Sequence, residues 1–419
     1  MSSQENILVV GGGISGITAA IEAAEVGFEV FLIDKNSYLG GRVAQMYKYF
    51  PKMCSPYCGL EINFRRIKFN PRVRIYTSAE IEDVSGQEGD FEVTLKLSPS
   101  FVNENCTACG QCSSVCPVNR SDDFNYGLSS TKAIFFPHPM SFPPKYTIDE
   151  NICLGRGCAK CISICPYKAI DLTATRTRLK VKVGAIVLAT GWQPFSAAKL
   201  TNLGFNKFAN VITNVMMERL AAPDGPTEGK IFRPSDGKII KRIAFVQCAG
   251  SRDLNHLAYC SGVCCSASLK QVAYLQEKIP DAQVLLFYID IRVPGIMEDF
   301  YSSIKSNKNL CLIRGKVAKI EEDLITQDLV VVAEDTSTSN VIRKDVDMVV
   351  LATGLIPSQV EQMTSEISID SAGFLFSNIP GIYVAGCAGK PLDVSNSVRN
   401  ATGVALKAIQ SIVRSRNHG

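Results

Sequence analysis

Twelve of the 16 cysteines in this chain stand close enough in sequence to act together. Eight form two runs, Cys106-x2-Cys109-x2-Cys112-x3-Cys116-Pro117 and Cys153-x4-Cys158-x2-Cys161-x3-Cys165-Pro166. Four more are Cys248, Cys260, Cys264 and Cys265, the last three within Tyr259-Cys260-Ser261-Gly262-Val263-Cys264-Cys265. Grouped thiolates ligate soft metals, iron–sulfur clusters foremost, and also carry dithiol redox chemistry. Only 3 histidines accompany them, which suits thiolate-held iron better than zinc or haem.

Composition narrows the setting. A chain of 419 residues, 46% hydrophobic, buries a real core and is long enough for two or three domains. Disulfide-stapled secreted modules are short, and the opening MSSQEN runs straight into an apolar strand without a signal peptide. A cytoplasmic chain is therefore expected. The most apolar runs, such as residues 183–189, have strand length, far below the ~20 residues of a membrane span. A net charge of +4, from 44 basic and 40 acidic residues, is too mild and dispersed to argue for nucleic acid.

The two runs of four cysteines end as bacterial ferredoxin motifs do, in C-x2-C-x3-C-P, the second with a longer opening loop. In two-cluster ferredoxins the fourth cysteine of each run ligates the other cluster. The resemblance therefore implies one [4Fe–4S] site of Cys106, Cys109, Cys112 and Cys165, and another of Cys153, Cys158, Cys161 and Cys116. Zinc knuckles or inert cysteines account poorly for a duplicated spacing of this kind. The prolines keep each short helix from running on through the turn. The runs interrupt a meander expected from three strands between residues 72 and 97, whose next strand resumes at 178–183. The proline-rich stretch 136–144 reads as an extended spacer, and His138 within it as a loop residue rather than a ligand.

The elements that must position this chemistry begin at the N-terminus. A buried strand over residues 6–10 leads into Gly11-Gly12-Gly13-Ile14-Ser15-Gly16 and a helix over 17–26. Gly11 permits the tight turn, Gly13 lets backbone approach a pyrophosphate, and Gly16 lets helix and strand pack closely. A second strand, 29–33, ends in Asp34, placed about 20 residues downstream as a ribose-hydroxyl acceptor should be. Gly40-Gly41-Arg42 follows; a later strand ends in Ala189-Thr190-Gly191; and a third leads into Ala385-Gly386-Cys387 and a helix over 398–409. This order resembles flavoproteins of the thioredoxin reductase kind, whose FAD domain is split and completed by the C-terminal segment. It implies FAD held by Gly11, Gly13, Ile14, Ser15, Gly16, Asp34, Lys35, Gly41, Arg42, Ala189, Thr190, Gly191, Gly386, Cys387 and Asp393. That family has an aspartate where Cys387 stands, so the contact there must differ.

A strand over 241–247 occupies the place of an NAD(P)H domain in such a chain. Cys248-Ala249-Gly250-Ser251-Arg252 follows instead of a three-glycine turn, so the fold is expected to persist without nicotinamide binding. Cys248, Cys260, Cys264 and Cys265 lead into a helix over 267–278, whose N-terminus favours an anionic cluster. A third cluster is the preferred reading; a dithiol or disulfide and inert core thiols stand as alternatives.

Gln247-Cys248-x-Gly250-Ser251-Arg252-Asp253 with Tyr259-Cys260-Ser261-x2-Cys264-Cys265 resembles the A-subunit of heterodisulfide reductases and its relatives. Residues 40–46, Tyr49-Phe50-Pro51-Lys52 and Lys390-Pro391-x-Asp393 match as well. The resemblance implies that Cys248, Cys260, Cys264 and Cys265 ligate a non-standard [4Fe–4S] cluster near the FAD. Residues 54–63 and 260–265 are most similar to the branch found in the quinone-interacting membrane-bound oxidoreductases. That branch implies two partners, a related flavin/iron–sulfur subunit plus a membrane haem/quinone subunit, with an electron path between menaquinone and adenylylsulfate reductase. The chain would then reach the membrane only through those partners.

The expected fold is α/β: a thioredoxin-reductase-like flavoprotein with two dinucleotide-binding Rossmann domains and an inserted α+β ferredoxin domain with two [4Fe–4S] clusters. The flavin domain takes residues 1–97, 177–225 and 357–419, the insert 98–176, and the degenerate NAD(P)-like domain 226–356. No Ser/His/Asp or paired-carboxylate constellation suggests hydrolysis. Electron relay through FAD and clusters, with bifurcation or confurcation as an added option, is set against the A-subunit of a soluble heterodisulfide reductase-like complex, an NAD(P)H:ferredoxin-type oxidoreductase and a cofactor scaffold. Cys54 and Cys58, on a proline-containing turn, are expected to be structural or partner-facing, with a redox or ligand role as the alternative. Cys311 is expected to be a buried small hydrophobe.

Overall fold

The computed structural model describes residues 6–360 and 367–417, so the expectation for the first five residues lies outside it. The chain divides into two units: Met1–Ala44, Tyr57–Trp192 and Pro357–Gly419 in one, Gln45–Pro56 and Gln193–Ile356 in the other.

In the first unit, β1 (Asn6–Val10), helix α1 (Ile14–Glu25) and β2 (Glu29–Asp34) form a strand–helix–strand crossover. Helix α2 (Pro56–Phe69) then leads to β3 (Val73–Thr77). The sheet is parallel, in the order Ile382–Val384, Ala185–Leu188, β1, β2, β3. The near-continuous apolar sequences of β1 and Ala185–Leu188 follow from burial on both faces. The strand order reverses between these two strands, and their carboxyl ends open the crevice in which such folds bind ligands. The C-terminal helix Val394–Asn417, longer than expected, packs on α1.

A second, antiparallel sheet joins β4 (Ala79–Gln87), β5 (Asp90–Leu97) and Thr177–Val183. Its inward residues, Ile81, Val93, Leu95 and Val183, share a core with Leu8, Ile33, Ile186 and Leu188 of the parallel sheet. The expected meander is thus corrected. The strand 73–77 extends the parallel sheet, and the three-stranded sheet is completed by the strand that follows the interruption. Leu97 pairs with Thr177, so the chain leaves for residues 98–176 and returns between neighbouring strands.

The interrupting segment carries two short helices, α3 (Gln111–Ser114) and α4 (Lys160–Ile164), and a small core of Val102, Cys112, Ile134, Ala169 and Ile170. The proline-rich stretch is a packed strap, not a free spacer. His138 is buried and stacks on Phe124, Phe142 stacks on Phe64, and Phe142 O accepts the Leu39 N–H.

The second unit repeats the plan. Five parallel strands run in the order Val211–Thr213, Met348–Thr353, Arg242–Ala249, Gln283–Tyr288, Leu310–Arg314. Beside them, Val317–Glu322, Leu329–Asp335 and Asn340–Val346 form an antiparallel sheet. Residues 193–225, expected with the flavin domain, lie in this unit because Val211–Thr213 pairs with Met348–Thr353.

Helix α5 (Asn214–Ala221) packs on helix α6 (Cys264–Lys278). Buried Glu218 on α5 accepts from Lys270 Nζ at 2.9 Å, Gln271 Nε2 at 2.7 Å, Tyr274 OH at 3.0 Å and Tyr47 N at 3.1 Å. This pins the segment 45–56 to α6. Helix α6 begins at Cys264, three residues earlier than expected, which puts Cys264 and Cys265 in its first turn.

Candidate functional sites

The turn after β1 is shaped by absent side chains. Gly11 has φ +107°, and a Cβ there would lie 2.3 Å from Ala189 O. A Cβ on Gly16 would lie 1.8 Å from Gly11 O, so only glycine lets α1 start this close to the strand. Gly13 meets nothing nearer than Gly41 Cα at 3.9 Å; it and Ile14 stay partly exposed at the helix N-terminus. No side chain caps that terminus, so its first N–H groups and its dipole are left for an anion.

Asp34, buried at the end of β2, accepts Gly12 N at 2.6 Å and Asn36 N at 2.7 Å. Lys35 beside it is exposed. Gly41 takes φ +55°, and a Cβ there would meet Gly13 Cα at 2.9 Å. Arg42 donates to Trp192 O and to Tyr126 OH, and its guanidinium lies over both rings. Tyr126 belongs to the segment 98–176, a contact that motif reading did not reach.

Ala189 N donates to Val10 O, Thr190 Oγ1 to Ser358 O, and Gly191 turns with φ +72°. Gly386 N donates to Asn400 Oδ1 at 2.7 Å. Cys387 is buried, with Sγ 3.3 Å from Leu392 O and 3.7 Å from Ser397 Oγ. Asp393 caps the C-terminal helix, both carboxylate oxygens taken by Asn396.

In the interrupting segment, one recess of about 330 Å³, partly open to solvent, is lined by Cys106, Cys109, Cys112 and Cys165. A second, of about 360 Å³, is lined by Cys116, Cys153, Cys158 and Cys161. The two sets exchange their fourth cysteines in the way the ferredoxin resemblance implies. Backbone builds both recesses alike. Gly110 and Ala159, the residues before α3 and α4, are both left-handed, as is Ala108. Ala108 N points at Cys106 Sγ (3.5 Å), Gly155 N at Cys153 Sγ (3.4 Å) and Ala169 N at Cys165 Sγ (3.4 Å). Such inward N–H groups are what an anionic cluster needs. Burial, with Cys106 and Cys109 close by, pushes the Cys112 thiol up to about 11. Burial, then Cys153 and later Cys116, raises Cys161 as well. Among the described residues no three His, Cys, Asp or Glu side chains converge as ligands of a single ion would. The donor set of each recess is four soft thiols with no histidine among its lining residues, which fits an iron–sulfur cluster.

The middle cysteines occupy the crevice of the second unit. Cys248 is the penultimate residue of Arg242–Ala249, with φ +55°, and Cys264 Sγ lies 3.7 Å from Thr353 O at the end of the neighbouring strand. These are the strands between which the order reverses. Burial and nearby Cys265 and Cys260 push the Cys248 thiol up to about 11. Burial, then Cys265, Cys248 and Cys260, drives Cys264 well above the thiol range. Cys264 and Cys265 stand in the first turn of α6, and Cys248 and Cys260 are close enough to act on Cys264 electrostatically.

Sequence reasoning missed the charged frame beside them. Asp290 pairs with both Arg252 and Arg292, and its carbonyl lies 3.8 Å from Cys265 Sγ. The signal was available: Asp290 follows Gln283–Tyr288, the strand after the crossover from Arg242–Ala249, much as Asp34 ends the strand after the crossover from β1. Two lone-cysteine expectations are corrected. Cys311 lies on Leu310–Arg314 at the sheet edge and is exposed, and Cys58 is an exposed residue of α2 rather than of a turn. Cys54 is exposed.

Similarity to known proteins agrees with this geometry. A family model described as FAD dependent oxidoreductase matches residues 6–58, and a 4Fe-4S binding domain matches residues 99–119. The chain is 38% identical over 424 positions to the second iron-sulfur A-subunit of the CoB--CoM heterodisulfide reductase of Methanopyrus kandleri, covering 97% of this chain and 64% of that one. It is 35% identical to the A-subunit of the H(2):CoB-CoM heterodisulfide,ferredoxin reductase of Methanothermobacter thermautotrophicus, over 99% and 65%. The chain thus spans somewhat under two-thirds of the length of these relatives. In fold it is similar to T. acidophilum thioredoxin reductase, with a TM-score of 0.53 at 14% identity over 99% of both chains. Its domains are those of an FAD-binding flavoprotein with at least one [4Fe–4S] cluster. Along nearly its whole length the chain is thus similar in sequence to the A-subunits of heterodisulfide reductases.

Proposed function

We propose that this chain relays electrons between partner subunits of an oxidoreductase complex, through one FAD and three [4Fe–4S] clusters. The observation that carries this is the grouping of twelve cysteines into three four-thiol sets on a flavoprotein frame. Flavin accepts electrons singly or in pairs, and each cluster passes one. The chain's own part is to bind and orient. The Gly11–Gly16 turn and the start of α1 receive the pyrophosphate, and Asp34 the ribose. Ala189–Gly191 and Gly386 border the flavin side. Cys248, Cys260, Cys264 and Cys265 hold the middle cluster, with Arg252 and Arg292 offsetting its charge. Without a three-glycine turn after Arg242–Ala249, the middle unit has no nicotinamide site.

At the finer level, residues 54–63 and 260–265 favour the quinone-interacting branch, working between menaquinone and adenylylsulfate reductase beside a flavin/iron–sulfur subunit plus a membrane haem/quinone subunit. A soluble heterodisulfide reductase-like complex is the second reading, favoured by the names of the relatives. Among the described residues no helix is long and apolar enough to cross a membrane. Membrane attachment through partners therefore belongs to the first reading only. Purification of the native assembly with identification of its subunits separates the two. Copurification with a membrane haem protein supports the first; a wholly soluble assembly refutes it. Stopped-flow mixing of the isolated chain with NADH and NADPH tests the relay itself, and rapid flavin bleaching by either would overturn it.

A further inference from the structure

The hairpin after Cys116 has its base in one candidate site and its tip in another. Asn119–Ser121 and Ser130–Lys132 pair antiparallel, and Ala133 N donates to Val118 O at the base. Pro117, Val118 and Ala133 line the second four-cysteine recess beside Cys116. At the tip, residues 122–129 form a loop tied on Asp122. Its N–H donates to Ser129 O and its carbonyl accepts Gly127 N. Its carboxylate accepts Phe124 N at 3.0 Å, Asn125 Nδ2 at 2.8 Å and Ser129 Oγ at 3.1 Å. Phe124 is buried, stacked on His138 at 4.6 Å and edge-on to Tyr38 at 6.2 Å. This packing holds Tyr126 at φ +52°, a left-handed conformation that bulky residues rarely adopt.

Arg42 Nη1 donates to Tyr126 OH at 3.3 Å and Arg42 Nε to Trp192 O at 3.2 Å. The guanidinium carbon lies 5.8 Å and 5.9 Å from the two ring centres. Arg42 follows Gly41, whose close approach to Gly13 places it beside the uncapped start of α1. Two hydrogen bonds and two rings thus fix the plane of a guanidinium at the edge of an anion site. A fixed planar fork is what binds phosphate oxygens well.

We infer that the loop 122–129 is part of the FAD site, with Tyr126 positioning Arg42 for the pyrophosphate, so that flavin retention depends on occupancy of the second four-cysteine recess. The inference rests on the FAD and cluster reading and deepens it: the interrupting segment serves the flavin as well as carrying clusters. The link is one short hairpin, with the recess at one end and Tyr126 at the other. Coupling between binding sites is reciprocal, so bound flavin in turn steadies the hairpin and the recess.

The test is the rate of flavin release from the FAD- and cluster-loaded chain, followed anaerobically as FAD fluorescence in the filtrate over time. Tyr126→Ala, with iron content unchanged, should release FAD roughly tenfold faster, because a hydrogen bond and a cation–ring contact are both lost. Tyr126→Phe keeps the ring and should fall between. Cys158→Ala opens the second recess from outside the hairpin and should speed release roughly fivefold or more. Combining it with Tyr126→Ala should add little, because both act through the same contact. Unchanged release from Tyr126→Ala with iron intact overturns the inference. Independent, multiplying effects of Tyr126→Ala and Cys158→Ala overturn the link between recess and flavin. An unaltered chain that holds no flavin or no iron sinks the relay reading itself, and this inference with it, whereas the first two outcomes leave the relay standing.

Discussion

The exchange of fourth cysteines in the interrupting segment can be tested by an iron count that does not depend on activity. The first recess takes Cys106, Cys109 and Cys112 from one run and Cys165 from the other; the second takes Cys153, Cys158 and Cys161 with Cys116. Three intact clusters would give about twelve irons per chain, and Cys109→Ala, which opens the first site, should leave about eight. Adding Cys165→Ala should then cost nothing further, because both residues serve the same site. Adding Cys116→Ala should instead leave about four, because it opens the second site. If a damaged site keeps three irons rather than none, each step shrinks but the order of the double variants is unchanged. Anaerobic iron and sulfide quantification with cluster spectroscopy reads the result. Iron lost on adding Cys165→Ala but kept on adding Cys116→Ala would mean that each run binds its own cluster. A starting value near eight in the unaltered chain would remove the middle-unit cluster.

Gly16→Val should lower copurifying flavin roughly tenfold, because the new Cβ would sit 1.8 Å from Gly11 O; full flavin content measured by absorbance would contradict the cradle. Lys270→Met leaves the Glu218 carboxylate buried without its cation and should cost about 3–5 kcal/mol in denaturant unfolding of the loaded protein, with Glu218→Gln/Lys270→Met recovering part of it. Stripping iron with a chelator should unfold residues 98–176 selectively, since their core has five buried residues. Limited proteolysis reads this as cleavage confined to that segment, and full protection would show that the segment folds without metal.

What the sequence made legible was whatever depends on local spacing. The β1 turn needs glycine at set positions because backbone passes backbone, and the cysteine runs need short intervals because one cluster gathers them. Both survive translation into three dimensions almost unchanged. Partners set by long-range packing were harder to read. Val73–Thr77 looks like the first strand of a meander because its neighbours in sequence are hairpin strands, yet it pairs with β2. Cys311 has strand neighbours and a strand pattern, but an edge strand exposes one of its faces, and no pattern identifies the edge. The proline-rich strap misleads for the same reason. Its prolines suggest extension, while the aromatic residues between them find Phe64, Tyr38 and Phe124 across the fold.

The repeated plan of the two units explains why a cysteine cluster could replace a nucleotide without rebuilding the domain. The strand order reverses between β1 and Ala185–Leu188 in the first unit and between Arg242–Ala249 and Met348–Thr353 in the second, and in each the crevice lies at their carboxyl ends. A dinucleotide there needs room for a pyrophosphate, N–H groups to meet it, and an acid for the ribose. In the first unit Gly11, Gly13 and Gly16 leave the room, α1 offers the N–H groups and Asp34 supplies the acid. A thiolate cluster is also an anion and makes the same electrostatic demand. In the second unit α6 again starts at the crevice, but Cys264 and Cys265 fill its first turn. Asp290, which follows Gln283–Tyr288 as the ribose acid follows the strand beside β1, is taken by Arg252 and Arg292. A Cβ on Gly354 would lie 2.2 Å from Ser251 Oγ and 2.7 Å from Ser261 Oγ, so the cysteine-bearing loop closes down where a nucleotide would need space. The field that favours an anion is kept while the room for a nucleotide is not, and that combination favours thiolate-held iron over nicotinamide in this crevice.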